Sequence, residues 1–230
     1  MKAKTLLIAA ASLAVGAITS QAQVYSQNIV GYVNVTLTNG FNLVANQLDL
    51  DGTGTNNTVY TTVGTNLPTS SKIYAYDPTL PGYRYITLNA NYTWTAGTSG
   101  GFVKNNLQPG GSVFVYVPGT GVTTNITFVG TVLQQTNATT YPAQYQMVAY
   151  PFPEAGYLTT NFNYVANAPT GTPTTYDKVL TWNPTTQLFT THTKLAGSWQ
   201  GGSPNLGVAQ GFFLVPNQTT TWTNGFNVGP

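Results

Sequence analysis

Phe41-Asn42-Leu43-Val44-Ala45-Asn46-Gln47-Leu48 recurs in the second half of the chain as Tyr145-Gln146-Met147-Val148-Ala149-Tyr150-Pro151-Phe152. The flanking sequence recurs with it, in the same order. Lys72-Ile73-Tyr74-Ala75-Tyr76-Asp77-Pro78 matches Lys178-Val179-Leu180-Thr181-Trp182-Asn183-Pro184, Trp94 matches Trp199, and Gly110-Gly111-Ser112-Val113-Phe114-Val115 matches Ala209-Gln210-Gly211-Phe212-Phe213-Leu214. The chain reads as a duplicated unit, and duplication directs attention to how units join rather than to one catalytic pocket.

Inside each copy apolar residues alternate. Tyr32 to Leu37 puts Val33, Val35 and Leu37 on one face, and Ser112 to Val117 does the same with Val113, Val115 and Val117. A period of two is the signature of strands. Thr38-Asn39-Gly40, Asp51-Gly52, Pro109-Gly110-Gly111, Pro118-Gly119 and Thr223-Asn224-Gly225 supply the turn chemistry between them. The expected fold class is all-β: two tandem β-sandwich-like domains from an internal duplication, over residues 23–130 and 131–230, with no helix after the leader. Pro151 and Pro153 enter the second copy where Gln47 ends the repeat strand of the first, so that strand should be an edge or end early.

Lys2 and Lys4, the apolar run from Thr5 to Ile18 and the small-x-small triplet Ser20-Gln21-Ala22 predict a cleaved signal peptide over residues 1–22. The run is too short for a membrane span, and no later segment is long and apolar enough for one. A secreted or cell-surface protein follows, without cysteine and therefore without disulfides. Of seven Lys and Arg the leader would take two, leaving Lys72, Arg84, Lys104, Lys178 and Lys194 against five Asp and Glu, a net charge of zero. Five scattered cations make no face for nucleic acid. A neutral, charge-poor surface permits self-association instead.

The recurring phrases resemble a widespread, poorly characterised repeat of secreted Gram-negative proteins: Gly40 to Asn46, Ile73 to Asp77 and Leu107 to Val115 in the first copy, and, more loosely, Tyr145 to Tyr150, Val179 to Asn183 and Leu206 to Leu214 in the second. The resemblance implies a β fold outside the cell, with no catalytic residue and no cofactor.

Candidate chemistry is sparse. His192, the one histidine, lies in Thr190-Thr191-His192-Thr193, which reads as a solvent-facing strand rather than part of a triad or a metal site. Asp49 and Asp51 bunch with amides and glycines in a loop that lacks the third acid and distal Glu of a calcium loop, and reads as a turn. They are also the one close acid pair available for glycoside hydrolysis, and Glu154 completes the acids that an enzyme could use, so an enzyme is not expected. Tyr74, Tyr76, Tyr83, Tyr85, Tyr92 and Trp94 are concentrated in one region, and of these Tyr83, Tyr85, Tyr92 and Trp94 are candidate rings to stack on a polysaccharide, in a secreted module that stays monomeric; alternating Tyr on neighbouring strands equally describes a core.

The strongest functional pointer is the join between copies. Asn125-Ile126-Thr127-Phe128-Val129-Gly130 closes the first copy and runs into the second, and a similar phrase, Asn224-Gly225-Phe226-Asn227-Val228-Gly229, closes the chain. The opening phrase Asn28-Ile29-Val30-Gly31-Tyr32-Val33 has no predecessor. The expectation is a structural subunit of an extracellular filament. Its N-terminal segment, with Val24, Ile29, Val30, Tyr32, Val33, Val35 and Leu37, would add as a strand to the acceptor end at Phe226 and Val228 of the preceding subunit, making a head-to-tail homo-polymer. The competing arrangement has the segment folding back on its own domain.

Overall fold

The computed structural model describes residues 29–79, 82–97, 107–134, 136–168 and 176–226. Residues 1–28, with the expected leader and Val24, and Val228 lie outside them. The described chain is all-β apart from one short helix, and its sheets are antiparallel.

In the first copy β2 (Gly40–Ala45), β6 (Ser112–Val117), β3 (Lys72–Asp77), β4 (Gly82–Leu88) and β5 (Trp94–Ala96) form a five-stranded sheet in that order. In the second, β9 (Gln146–Ala149), β15 (Gly211–Val215), β11 (Lys178–Asn183), β12 (Leu188–Lys194) and β13 (Trp199–Gln200) form another. Read through the repeat, the strand orders are the same. Each copy adds a two-stranded ribbon: β1 (Val30–Thr38) with β7 (Thr123–Thr131), and β8 (Thr136–Tyr141) with β16 (Thr220–Gly225). A small pair, β10 (Gly156–Tyr157) with β14 (Asn205–Leu206), completes the second copy. β9 lies at the edge of its sheet, and it ends at Ala149, the equivalent of Ala45 where β2 ends, so Pro151 does not shorten it; it is the shorter strand because it begins at Gln146, the equivalent of Asn42. The helix α1 (Val59–Val63) was not expected; Thr58 caps it by accepting from Thr61 N, and Val59 and Val63, one turn apart, are buried.

Three apolar layers set the order of the body. Val33, Leu37, Ile126 and Phe128 of the first ribbon pack on Val44, Ile73, Ile86, Val113 and Val115 of the first sheet. Trp222 of the second ribbon packs on Val148, Val179, Phe212 and Leu214 of the second sheet. Between the two sheets lies a third layer, with Leu43 and Phe114 from one side, Met147 and Phe213 from the other, and Phe41, Tyr74, Tyr76, Leu180 and Trp182 around them. The sequence of layers is ribbon, sheet, sheet, ribbon. Each sheet is thus apolar on both faces, which is why β6 reads as a nearly continuous apolar run.

The two copies meet reciprocally. Ala45 N donates to Ala209 O at 2.9 Å, and its repeat equivalent Ala149 N donates to Gly110 O at 2.8 Å. The bridges Val44 to Gln210 and Gly111 to Val148 are likewise equivalent. Ser112 and Gly211, which correspond to each other in the repeat, touch: a Cβ on Gly211 would stand 2.6 Å from the Ser112 Cβ. A pseudo-two-fold axis therefore passes beside them, and the contact between copies has the self-complementary form of a symmetric dimer.

The expectation that the N-terminal strand leaves its own domain is corrected by the ribbon. β1 pairs with β7 of the same chain from Val30↔Thr131 to Thr38↔Thr123, Ile29 O accepts from Val132 N at 2.8 Å, and Val33 and Leu37 are buried in their own core. β7, nine residues long, matches β1 along its whole length. Phe226 is no open acceptor either: it packs between the two outer cores and stacks on Phe152 with ring centres 5.6 Å apart.

Candidate functional site

The ionisable residues singled out in the sequence are dispersed. His192 is buried, against the solvent-facing position expected of it. It occupies the inward slot opposite Val179 that Ile86 fills opposite Ile73 in the first copy. Its Nδ1 lies 3.0 Å from Gly202 O and its Nε2 3.4 Å from the Thr181 hydroxyl, partners that hold an imidazole in a core and supply no carboxylate for catalysis. Asp49 accepts from Gly54 N at 2.9 Å and Asn57 Nδ2 at 2.8 Å. Asp51 accepts from the hydroxyl and N–H of Thr53 and from Asn56 Nδ2, and the Thr53 hydrogen bonds hold its carboxyl below the usual range. Both carboxylates face N–H and O–H donors, an arrangement that braces a turn and presents no oxygen cage to a cation. Among the described residues no group of three His, Asp or Glu could hold a metal ion. Glu154 stands apart from all of these, beside Tyr150.

The aromatic residues singled out in the sequence do not form one platform. Trp94 pairs with Leu88, faces the outer core and donates Nε1 to Gly64 O at 3.0 Å. Tyr92 sits in the β4–β5 turn with φ of 58°. Tyr85 points to the opposite face of the sheet, its ring 5.2 Å from that of Tyr74 with the Lys72 ammonium over it. Tyr83 lines a cleft, together with Tyr74 and Tyr76 of the same aromatic region.

That cleft lies between the two sheets and has two lobes. One, of about 230 Å³, is lined by Phe41, Tyr74, Tyr83, Phe114, Trp182 and Phe189. The other, of about 270 Å³, is lined by Tyr76, Tyr83, Tyr145, Leu180, Phe189 and Phe213. Each lining residue of the first has its repeat equivalent in the second, and Tyr83 and Phe189, equivalents of each other, serve both. Ring contacts follow the same symmetry: Phe114 meets Trp182 edge to face at 5.2 Å, and Phe213 meets Tyr76 at 5.6 Å. Burial, then Tyr76, pushes the Tyr83 phenol up to about 12. Phe114, Trp182, Phe189 and Phe213 were missed in the sequence; the signal was there, since the repeat keeps an aromatic at both members of the pairs 41 and 145, 76 and 182, 83 and 189, and 114 and 213.

Buried phenols elsewhere act on stability. Burial pushes Tyr141 and Tyr150 up to about 12, and Tyr164 further still. Tyrosines of the unfolded chain ionise near 10, so between 10 and 12 the folded state holds protons that the unfolded state has released. Stability is therefore unchanged by these phenols well below pH 10 and falls as pH rises from 10 to 12. Urea midpoints read by tryptophan fluorescence should be flat from pH 7 to pH 9 and drop steeply above 10. A midpoint constant up to pH 12 would contradict the packing around these rings.

The second candidate surface is the outer ribbon. Thr131 N donates to Asp49 O at 2.6 Å and Thr131 O accepts from Asp49 N at 2.9 Å, so both groups point away from β1. Antiparallel alternation then directs the outward backbone groups of β1 to Val30, Tyr32, Asn34, Thr36 and Thr38. Asn42 Oδ1 accepts from Thr38 N at 3.0 Å and closes that end. The backbone of Asp49 and Leu50 crowds Gly130 on the β7 side, and α1 packs on β7. No strand of the described residues runs along the free side of β1. Neither strand of the ribbon contains a charge or a proline, and neither does β8 or β16. On the solvent face Val30 is 57% exposed, Tyr32 71% and its cross-strand partner Val129 38%, beside polar pairs such as Thr127 Oγ1 to Asn34 Oδ1 at 2.7 Å. No family model, curated protein or solved structure matches this chain.

Proposed function

We propose that this chain is a non-catalytic structural subunit, exported to the cell surface, that associates with further copies of itself into an extracellular filament. The observation that carries the reading is the pair of uncharged, proline-free ribbons on the two outer layers of the body. Soluble monomers usually guard a strand edge with Lys, Pro, a bulge or short length, because open N–H and C=O groups recruit another strand. Here a nine-residue edge carries none of those guards. Two separate contact surfaces on one subunit generate a chain of subunits rather than a closed pair. The contact is edge pairing of ribbons already formed, in place of donation of the N-terminal strand. Electron microscopy and light scattering of the purified mature chain should show polymers that grow with concentration. A protein that stays monomeric up to its solubility limit would overturn the reading.

The aromatic cleft favours a second reading, a monomeric surface module that binds a ligand. Sugar hydroxyls need hydrogen-bond partners, and the lobes offer little beyond tyrosine hydroxyls, which makes a polysaccharide a poor occupant. Retardation on polysaccharide gels that Tyr83→Ala abolishes would overturn that judgement and favour this second reading over self-association.

A further inference from the structure

Resting on the self-association reading, we infer that the assembly contact of the first ribbon is β1 against β1 of a second copy, antiparallel and centred on Tyr32. The outward backbone groups of Val30, Tyr32 and Asn34 would exchange hydrogen bonds in the pairs Val30 with Asn34, Tyr32 with Tyr32, and Asn34 with Val30 of the other molecule, extending two ribbons into one four-stranded sheet.

Three observations choose this edge and this partner. The opposite edge of the ribbon is obstructed: Thr131 of β7 is bonded to Asp49, and the Asp49–Leu50 backbone lies against Gly130. The C-terminal end of β1 is obstructed too, by Asn42 at Thr38 and by Pro184 and Val208 of the second copy, which face Val35, Thr36 and Leu37 across a groove. Val30 to Asn34 remains, and a register centred on Tyr32 uses that stretch in both molecules and stays clear of the groove. Charge then favours a second copy. β1 and β7 have no ionised side chain, so self-pairing opposes no like charges, and an acidic or basic partner strand would find nothing complementary. Finally, the register brings the most exposed apolar side chain of the ribbon, Tyr32, against itself, with Val30 and Val129 beside it. Directly opposed aromatic pairs are among the favourable cross-strand contacts.

The register makes position 32 its own partner, and that gives the test. Tyr32→Lys and Tyr32→Glu each place like charges face to face and should weaken association at least tenfold by sedimentation velocity. An equimolar mixture should recover it as a complex containing one of each. Circular dichroism and thermal melting of each variant check the fold, which a largely exposed side chain should not disturb. Association of Tyr32→Lys as tight as that of the unaltered chain, or a mixture no tighter than its components, would overturn the β1 contact while leaving self-association through another surface standing. An unaltered chain that never associates would overturn both. Recovery with a mixture in which the Glu component carries an intact edge and the Lys component a proline at position 34 would also overturn it, since that proline removes an outward N–H that the contact requires.

Discussion

Replacing Asp177 by alanine should lower the stability of the protein by about 3 kcal/mol or more, because several donors lose one shared acceptor. The carboxylate is fully buried at the start of β11. Its Oδ2 accepts from the Tyr164 hydroxyl at 2.8 Å and Asn167 N at 2.9 Å, and its Oδ1 accepts from Asn217 N at 2.7 Å. Tyr164 and Asn167 come from the long connection between β10 and β11, and Asn217 from the short turn between β15 and β16. In alanine's place they face a void too apolar to replace an acceptor, and buried unpaired donors cost about 1–3 kcal/mol each. For a chain of this size the melting temperature should fall by roughly 6–12 °C. Asp177→Asn keeps one carbonyl oxygen and should fall between the two. Differential scanning calorimetry reads the result; a change under about 1 °C in Asp177→Ala would mean that these loops are held by other contacts.

Gly130→Ala should be nearly as severe for a different reason. The added Cβ would stand 2.4 Å from Asp49 O, 2.6 Å from Asp49 C and 2.9 Å from the Leu50 Cα, all backbone atoms that cannot rotate aside. The strand must shift, and with it the two hydrogen bonds between Asp49 and Thr131. Overpacking of this kind costs about 1–3 kcal/mol before the lost hydrogen bonds are counted. Gly197→Ala is the control, since a Cβ there meets nothing within 4 Å. Equal denaturant midpoints for the two variants would refute the close approach at Gly130.

How far the sequence could be read depended on whether one face of a strand is polar. In β1 the Asn and Thr positions mark the solvent side, so Val33 and Leu37 were assignable to a core from alternation. In β3 and β6 both faces are apolar, and nothing in the alternation of Tyr74, Tyr76 and Phe114 says that they meet the other copy rather than their own. Trp94 looked like part of a tyrosine platform because sequence proximity does not say which side of a short edge strand a ring takes; pairing with Leu88 turns it to the core. His192 sits among threonines yet fills a core slot, since the Gly202 carbonyl satisfies its imidazole. The similar closing phrases of the two copies revealed where each unit ends. They could not reveal that β7 returns to pair with β1 of its own chain, a contact between segments far apart in sequence.

The reciprocal contact between the copies has a consequence for how each half can vary. Covalent linkage holds the halves at an effective concentration on the order of millimolar, so the contact need not be strong enough to assemble free subunits. In a dimer of identical chains every substitution is made twice, whereas here a change on one side leaves the other untouched. Gln187 shows the freedom this allows: its side-chain amide accepts from Phe41 N at 2.8 Å and donates to Phe41 O at 3.0 Å, strapping the edge of β2 as a strand would. The corresponding position in the first copy is Pro81, which has no side-chain amide. One strap on one side is enough when the tether keeps the halves together.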